Sequence, residues 1–371
     1  MSDGFGAAAG GEWSNAAVAA RLRAAGCVFA EEEAALLLEA AGFGAEGGFD
    51  EASEHEAGGI IRTEPGTSAG HAGLRHVDAP DPVALERLIA QRVAGLPLEH
   101  ILGWAEFAGL RIAVDPGVFV PRRRTEFLVQ HAVAALAHGR DAHPAAEAAS
   151  AAQRPEHRTS PSGAADREAG GAHPGDGASA LEHPEHRRTQ GGTADREAGD
   201  THPAAGVVVL DLCCGSGAVG AAMAAAVAGA DVYAADIDPA AVRSARRNIP
   251  RPERVFEGDL YDALPGTLRG RIDVIVVNAP YVPTAAIATM PPEARLHEAR
   301  VALDGGADGL DVQRRVAADA LGWLARGGTL LIETSEAQAP TTAAVFAEAG
   351  LHPRIERSDE LDATVVIGTR A

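Results

Sequence analysis

"GVVVLDLCCGSGAVGAAMAAAVAG", residues 206–229, decides how the rest of the chain is read. "GVVVLDL" is an apolar run carrying one acid, Asp211, which is the pattern of a strand buried on both faces. Gly215 and Gly217 follow, and glycines there let the backbone turn sharply and come close to a ligand. "AVGAAMAAAVAG" (218–229) then continues as a helix. Strand, tight glycine turn and helix form the unit with which α/β sheets hold a ligand at the carboxyl end of a strand.

The alternation continues downstream. "DVYAADI" (231–237), "RVFEGDL" (254–260), "IDVIVVN" (272–278), "GGTLLIET" (327–334) and "TVVIGTR" (364–370) read as strands. "DPAAVRSARRN" (238–248), "GLDVQRRVAADALGWLA" (309–325) and "QAPTTAAVFAEAG" (338–350) read as helices. This order predicts an α/β fold: a mostly parallel, Rossmann-like sheet with helices on both faces.

Three successive strands carry acids at their ends: Asp211, Asp236 and Asp259. An acid some twenty residues beyond a glycine turn can take both hydroxyls of a ribose. Asp236 fits that place, whereas Asp238 before Pro239 reads as a helix cap. Asp259 stands where an acid can accept from an adenine amino group. A plain strand-to-helix turn gives the same glycines; the run of acids favours a ligand site. The turn lacks the full glycine pattern of a dinucleotide site and has no Walker lysine. The expected ligand is therefore an adenosine compound without a pyrophosphate, S-adenosylmethionine being the obvious one.

Upstream, "NAAVAARLRAAG" (15–26) and "EEEAALLLEAAG" (31–42) have helical apolar spacing, and each ends at a glycine suited to a C-cap. "DPVALERLIAQRVAG" (81–95) is a third helix, with Asp81 as N-cap and Pro82 in its first position. Residues 1–96 are read as a small helical domain in which 43–78 is a loop insertion. Residues 97–120 are read as a β-hairpin linker turning at Asp115-Pro116-Gly117. Residues 121–371 form the main domain, interrupted at 138–205 by a tract nearly free of large apolar residues. "PEHR" recurs there at 155 and 184, and "ADREAG" at 165 and 194. The repeated units have no apolar face to stack, so a duplicated, disordered linker is expected.

Bulk composition excludes some classes. The net charge is -20, from 32 basic and 52 acidic residues, and every basic side chain is arginine. That balance argues against broad phosphate-backbone binding, which needs a basic face. No run approaches the length of a membrane span, and no secretory leader is apparent. Cys27, Cys213 and Cys214 show no metal-ligand spacing, and no metal site is expected. A cytoplasmic, monomeric protein fits.

The chemistry is carried by "VVNAPYVP", residues 276–283. A buried strand ends in Asn278, whose amide oxygen accepts hydrogen bonds. The Ala279 carbonyl is a second acceptor, Pro280 stiffens the loop and Tyr281 offers a flat wall. Two acceptors can grip a planar NH2 group by both hydrogens and push electron density back onto its nitrogen. Holding that nitrogen in line with a methyl donor removes much of the entropic barrier, roughly 7–11 kcal/mol for well-oriented pairs.

"NAPY" resembles the Asn-Pro-Pro-Tyr signature of amino-group methyltransferases, and the wider sequence is similar to the HemK family. These are protein-(glutamine-N(5)) methyltransferases of release factors or a ribosomal protein. "PLEHILGWAEFAGLRIAVDPGVFVPRRRTEFLV" (97–129) resembles the family's hairpin linker and its Pro-Arg-Pro-Glu-Thr-Glu segment. "LDLCCGSG" (210–217), "ALDGGADGL" (302–310), "GGTLLIE" (327–333) and the helical N-terminus also match. The resemblance implies a class I S-adenosylmethionine-dependent methyltransferase, with S-adenosylhomocysteine as product and a protein substrate recognised by the N-terminal domain. It implies that Asn278 and the Ala279 carbonyl bind the glutamine amide in a slot shaped by Pro280 and Tyr281. Asp211, Cys213, Gly215, Gly217, Asp236, Ile237, Asp259, Leu260 and Asn278 are then expected in the cofactor site, with Phe119, Pro121 and Thr125 near it.

Three departures stand out. Ala279 replaces the first proline, so the loop is expected to lose stiffness. Cys213 replaces a glycine and is expected to fit if its backbone angles are ordinary. Arg123 and Arg124 replace a proline and a glutamate. Two alternatives stay open: an amino methyltransferase of adenine or guanine, with Tyr281 stacked on a flipped base, and an inactive cofactor-binding homologue.

Overall fold

β3 (Val208–Leu212), the strand before the glycine turn, lies in the middle of the sheet. The computed structural model describes residues 13–43, 80–141 and 206–371. Seven strands run in the order β5-β4-β3-β6-β7-β9-β8. The others are β4 (Asp231–Asp236), β5 (Val255–Glu257), β6 (Ile272–Val277), β7 (Leu324–Thr334), β8 (His352–Ser358) and β9 (Ala363–Thr369). β5 through β7 pair in parallel, and β9 is antiparallel to both β7 and β8. The chain winds outward from β3 in one direction and resumes at β6 on the other side. The carboxyl ends of β3 and β6 therefore form a switch point, where open α/β sheets bind ligands.

The strands are apolar on both faces because both are covered. Val209, Val274, Val276 and Leu331 pack on one side with α5 (Glu126–Asp141) and α6 (Ala218–Ala226). Leu210, Ile275, Leu330 and Ile332 pack on the other with α9 (Asp311–Trp323) and α10 (Ala339–Glu348). α7 (Pro239–Asn248) is capped by Asp238, which accepts from the Ala240 amide at 2.8 Å.

The N-terminal helices α1 (Asn15–Ala24), α2 (Ala30–Ala40) and α3 (Pro82–Val93) have a core of their own around Leu22, Leu37, Leu85 and Ile89. Asp81 caps α3 as expected, accepting from the amides of Val83 and Ala84. Arg92 pairs with Glu33 of α2 at 2.6 Å and with Glu293 at 2.6 Å. Glu293 lies on α8 (Pro292–His297), a little beyond the 276–283 loop, so this arginine ties the helical layer to the segment that follows that loop. A further short helix, α4 (Leu98–Leu102), leads into the hairpin.

Three expectations need correction. The hairpin is β1 (Trp104–Phe107) with β2 (Leu110–Ala113), and it turns at Ala108-Gly109, not at Asp115-Pro116-Gly117. Ala108 and Gly109 both have positive φ, 51° and 72°, the geometry that matches the twist of paired strands. Asp115-Pro116-Gly117 is a turn too, closed by Val118 N–H to the Asp115 carbonyl at 3.1 Å, but it redirects the chain after β2. Strand β8, "HPRIERS", was not foreseen; it is an edge strand with mostly polar, partly exposed residues and no apolar run to mark it. Helix α5 continues to Asp141, past the expected start of the insert at 138. The rest of that tract, and the 43–78 insertion beyond Phe43 up to 79, lie outside the described residues.

Candidate functional site

A cavity of ≈ 730 Å³ opens at the switch point. That volume is within the range of small-molecule sites, about 300–1,000 Å³. Its floor is the loop after β3. Gly215 has φ 55°, and a Cβ there would meet nothing nearer than the Phe119 Cβ at 4.0 Å. Its bare backbone therefore faces the cavity. Gly217 behaves differently: a Cβ would lie 3.0 Å from the Ala245 Cβ on α7, so this glycine serves helix packing and does not line the cavity. Cys213 has φ 59°, so the expectation of ordinary backbone angles fails. A side chain in this left-handed region costs about 1–2 kcal/mol. Burial pushes both the Cys213 and Cys214 thiols up, with Asp236 adding to the effect, so neither is a ready nucleophile.

The acids sit where the strands end. Asp211 is buried and accepts from the Gly220 amide at 2.7 Å, which ties β3 to the start of α6. Burial pushes its carboxyl up to about 8. Asp236 accepts from the Gly215 amide at 2.8 Å and from Asp238 N–H at 2.9 Å, and burial raises it as well. These bonds hold the carboxylate against the glycine loop at the cavity wall. Asp259 is paired at 2.7 Å with Arg315 of α9, a cavity residue that the sequence reading missed. Ile237 and Leu260 flank these acids on the cavity wall.

Phe119, Pro121 and Thr125 arrive from the segment after the hairpin and line the cavity. Buried His100 bonds the Val118 carbonyl at 2.8 Å. Buried Glu298 takes the Val120 amide and the Arg122 guanidinium. Asn248 on α7 bonds both backbone groups of Ala113 and the Ser216 carbonyl, joining β2 to the glycine loop. None of these three clamps has a local sequence signature, because each reaches across to a distant element.

Asn278, Ala279, Pro280 and Tyr281 line the same cavity. Asn278 Nδ2 donates to Thr125 Oγ1 at 3.3 Å, which engages one of the two amide hydrogens with the protein. Tyr281 leans toward the end of β7, its hydroxyl 3.5 Å from Glu333 Oε1, and burial raises its hydroxyl to about 12. The loop is pinned along its backbone. Val282 exchanges hydrogen bonds with Leu303 and Gly305, and Gln338 donates to the Tyr281 carbonyl at 3.0 Å. The 302–310 glycines are needed for that contact: a Cβ on Gly305 would fall 2.7 Å from the Pro280 carbonyl oxygen, and one on Gly309 would fall 2.2 Å from that of Tyr281. These bonds hold the loop where Ala279 stands in place of proline. Arg124 contacts Glu333 at 3.3 Å, so this departure from the family pattern sets a partly exposed guanidinium against a buried acid.

Every residue expected at the site therefore reaches the cavity except Gly217. The sequence reading did not include Glu298, Arg315 and Gln338, and it matched Glu333 within "GGTLLIE" without giving it a role.

A methyltransferase small domain family matches residues 200–317. A release factor glutamine methyltransferase of Geobacter sulfurreducens is 30% identical over 78% of this chain and 79% of its own length. One of Mycolicibacterium smegmatis is 31% identical over 75% of this chain and 76% of its own. A ribosomal protein uL3 glutamine methyltransferase of Burkholderia pseudomallei is 40% identical, over 37% of this chain and 47% of its own length. With sheet order, cavity and motifs in agreement with that breadth of likeness, the chain belongs to the HemK-type family of protein-glutamine methyltransferases.

Proposed function

We propose that the protein methylates the side-chain amide nitrogen of a glutamine in a protein substrate, using S-adenosylmethionine, and that the substrate is a translation release factor. The two release factor relatives above match over 79% and 76% of their length, and others over 66–70%, whereas the ribosomal protein relative matches over 47%.

The cavity fits the cofactor on its own chemistry. Gly215 leaves a cradle that a Cβ would fill, and Asp236 presents acceptors at the end of β4 where a ribose can be held. Asp211 and Asp236 lie near the same loop; burial favours their neutral forms, and a bound ligand with cationic groups would favour their ionised ones. S-adenosylmethionine, when bound, supplies an electrophilic methyl group on a positively charged sulfur.

The observation that carries the reading is the orientation of Asn278. Its NH2 end is occupied by Thr125, so its oxygen is the end offered to the cavity. Together with the Ala279 carbonyl it offers two acceptors, which suit a substrate NH2 group. Buried acceptors built for an NH2 group discriminate strongly against substrates that lack one. After transfer the methylated nitrogen returns to neutrality by releasing one proton to water, so no general base is needed beforehand. The reading also implies a cytoplasmic location.

Purified release factor, incubated with the protein and S-adenosylmethionine, is expected to gain one methyl group, located on a glutamine by peptide mass spectrometry. Methylation of ribosomal protein alone, or label in nuclease-sensitive material, contradicts the release factor assignment.

A further inference from the structure

Gln338 stands at the N-cap of α10, a position where a polar side chain ordinarily turns back to the first amides of its helix. Gln338 makes no such bond. Its side chain reaches away from α10, and Nε2 donates to the Tyr281 carbonyl at 3.0 Å and to the Asp308 carbonyl at 2.9 Å. Its oxygen accepts from the Ser335 hydroxyl at 2.6 Å. An amide NH2 has two hydrogens and a backbone carbonyl can only accept. Both hydrogens are therefore engaged, and a reversed amide would set its oxygen against two carbonyl oxygens. The direction of the Gln338 amide is thus fixed by its partners.

The two carbonyls belong to different segments. Tyr281 is in the slot loop. Asp308 is in the 302–310 segment, where its carboxylate takes the Leu310 amide at 3.1 Å and pairs with Arg314 of α9 at 2.5 Å. One side chain thus fastens the slot loop to the segment beside it, from a helix that belongs to neither. The space is fitted to that contact: a Cβ on Gly309 would fall 2.4 Å from Gln338 Nε2. The Tyr281 carbonyl is two residues from the Ala279 carbonyl, and alanine there leaves the backbone without the rigidity of a proline ring. We infer that Gln338 is a positioning residue of the amide slot, which sets where the Ala279 carbonyl and the Tyr281 ring stand by fastening the loop to the 302–310 segment. The inference rests on the proposed reading that this loop receives the substrate amide.

Two variants and two readouts test it. Gln338→Met keeps the bulk and removes the donors. Gln338→Glu keeps the shape and sets a group that can only accept, when ionised, against the two carbonyls. The first readout is independent of turnover. The Val282, Thr284 and Gly305 amides bond between the slot loop and the 302–310 segment. In hydrogen–deuterium exchange followed by mass spectrometry, these amides are expected to exchange at least about tenfold faster in both variants than in the wild type. The Gly217 and Gly220 amides of the glycine loop are expected to stay as they are. The second readout is methyl transfer to release factor. Gln338→Met is expected to lower kcat by roughly 10- to 100-fold, and Gln338→Glu by more, with the Kd for S-adenosylhomocysteine within about twofold of wild type in both. A side chain that serves only packing gives the opposite order, with Gln338→Glu near wild type, and that result overturns the inference. Unchanged exchange in the loop overturns it too. So does faster exchange throughout the chain, or a loss of S-adenosylhomocysteine affinity that matches the loss of transfer, since either makes Gln338 a residue of the general fold. If the loop opens in the variants as expected but the wild type transfers nothing to release factor, the fastening stands and the release factor reading falls.

Discussion

The two halves of the cavity are built by different means. The half at β3, β4 and β5 is mostly local: a glycine loop, acids at strand ends and backbone amides 2 to 21 residues away, with Arg315 on Asp259 as a long-range addition. Asp211 and Gly220 are close in sequence, and so are Asp236 and Asp238. The half at β6 and β7 is assembled from afar. Asn278 is oriented by Thr125, 153 residues earlier, and the Tyr281 carbonyl is held by Gln338, 57 residues later. The difference is one of function. A cofactor site needs a shape that a backbone turn can supply. A slot that must fix the direction of a single amide needs side chains with no freedom of their own.

If the halves are separable, variants should divide between transfer and binding. The largest effect is expected from Asn278→Ala. Removing one of two acceptors that strengthen as the nitrogen reacts should lower kcat by roughly 10²–10³-fold, with cofactor Kd nearly unchanged; single-turnover methyl transfer and calorimetry check the two sides. Asp236→Ala should do the reverse. Losing a charged hydrogen-bond acceptor at the ribose end should weaken S-adenosylhomocysteine binding by roughly 10- to 100-fold, with kcat at saturating cofactor within a few-fold of wild type.

The next effect sharpens the electrostatic side of the comparison. The Asp211 carboxyl is raised to about 8, so the folded, cofactor-free protein favours its neutral form more than the unfolded chain does. Its stabilising contribution is complete below the ordinary carboxylate range and is lost as pH rises toward 8. Asp236, Glu298 and Glu333 are shifted the same way by burial, while His131, lowered by burial, opposes them only where histidine takes up a proton. Between about pH 6.5 and 8, the Tm of the cofactor-free protein should therefore fall, and it should fall less in Asp211→Asn. A Tm that rises over this window contradicts the assignment.

The smallest effect concerns Cys213. Replacing it by glycine should relieve its left-handed backbone and stabilise the protein by about 1 kcal/mol, seen as a Tm increase of about 2–4 °C. Methyl transfer should be unchanged, since the cysteine thiol takes no part in the chemistry.

Legibility followed short stretches in both halves. The glycine turn, the three acids and "NAPY" lie in short stretches whose letters carry their geometry. The hairpin turn was misplaced because Asp115-Pro116-Gly117 is the stronger turn signal by composition, whereas Ala108-Gly109 is selected by strand twist. Gly217 looked like a ligand-facing glycine, but its constraint comes from Ala245 on α7, which no local pattern reveals. β8 was invisible because an exposed edge strand needs no apolar run. Glu333 and Gln338 act through contacts that exist only after β7 and α10 have packed beside β6, so their roles follow from topology and not from spacing.

The most direct test of the account measures both halves on the same two variants. Cofactor binding by calorimetry and single-turnover methyl transfer to release factor would be recorded for Asn278→Ala and Asp236→Ala beside wild type. The account predicts that Asn278→Ala binds cofactor normally and transfers poorly, while Asp236→Ala binds poorly and transfers normally once saturated. Parallel loss of binding and transfer in both variants would contradict a cavity divided between a cofactor cradle and an oriented amide slot.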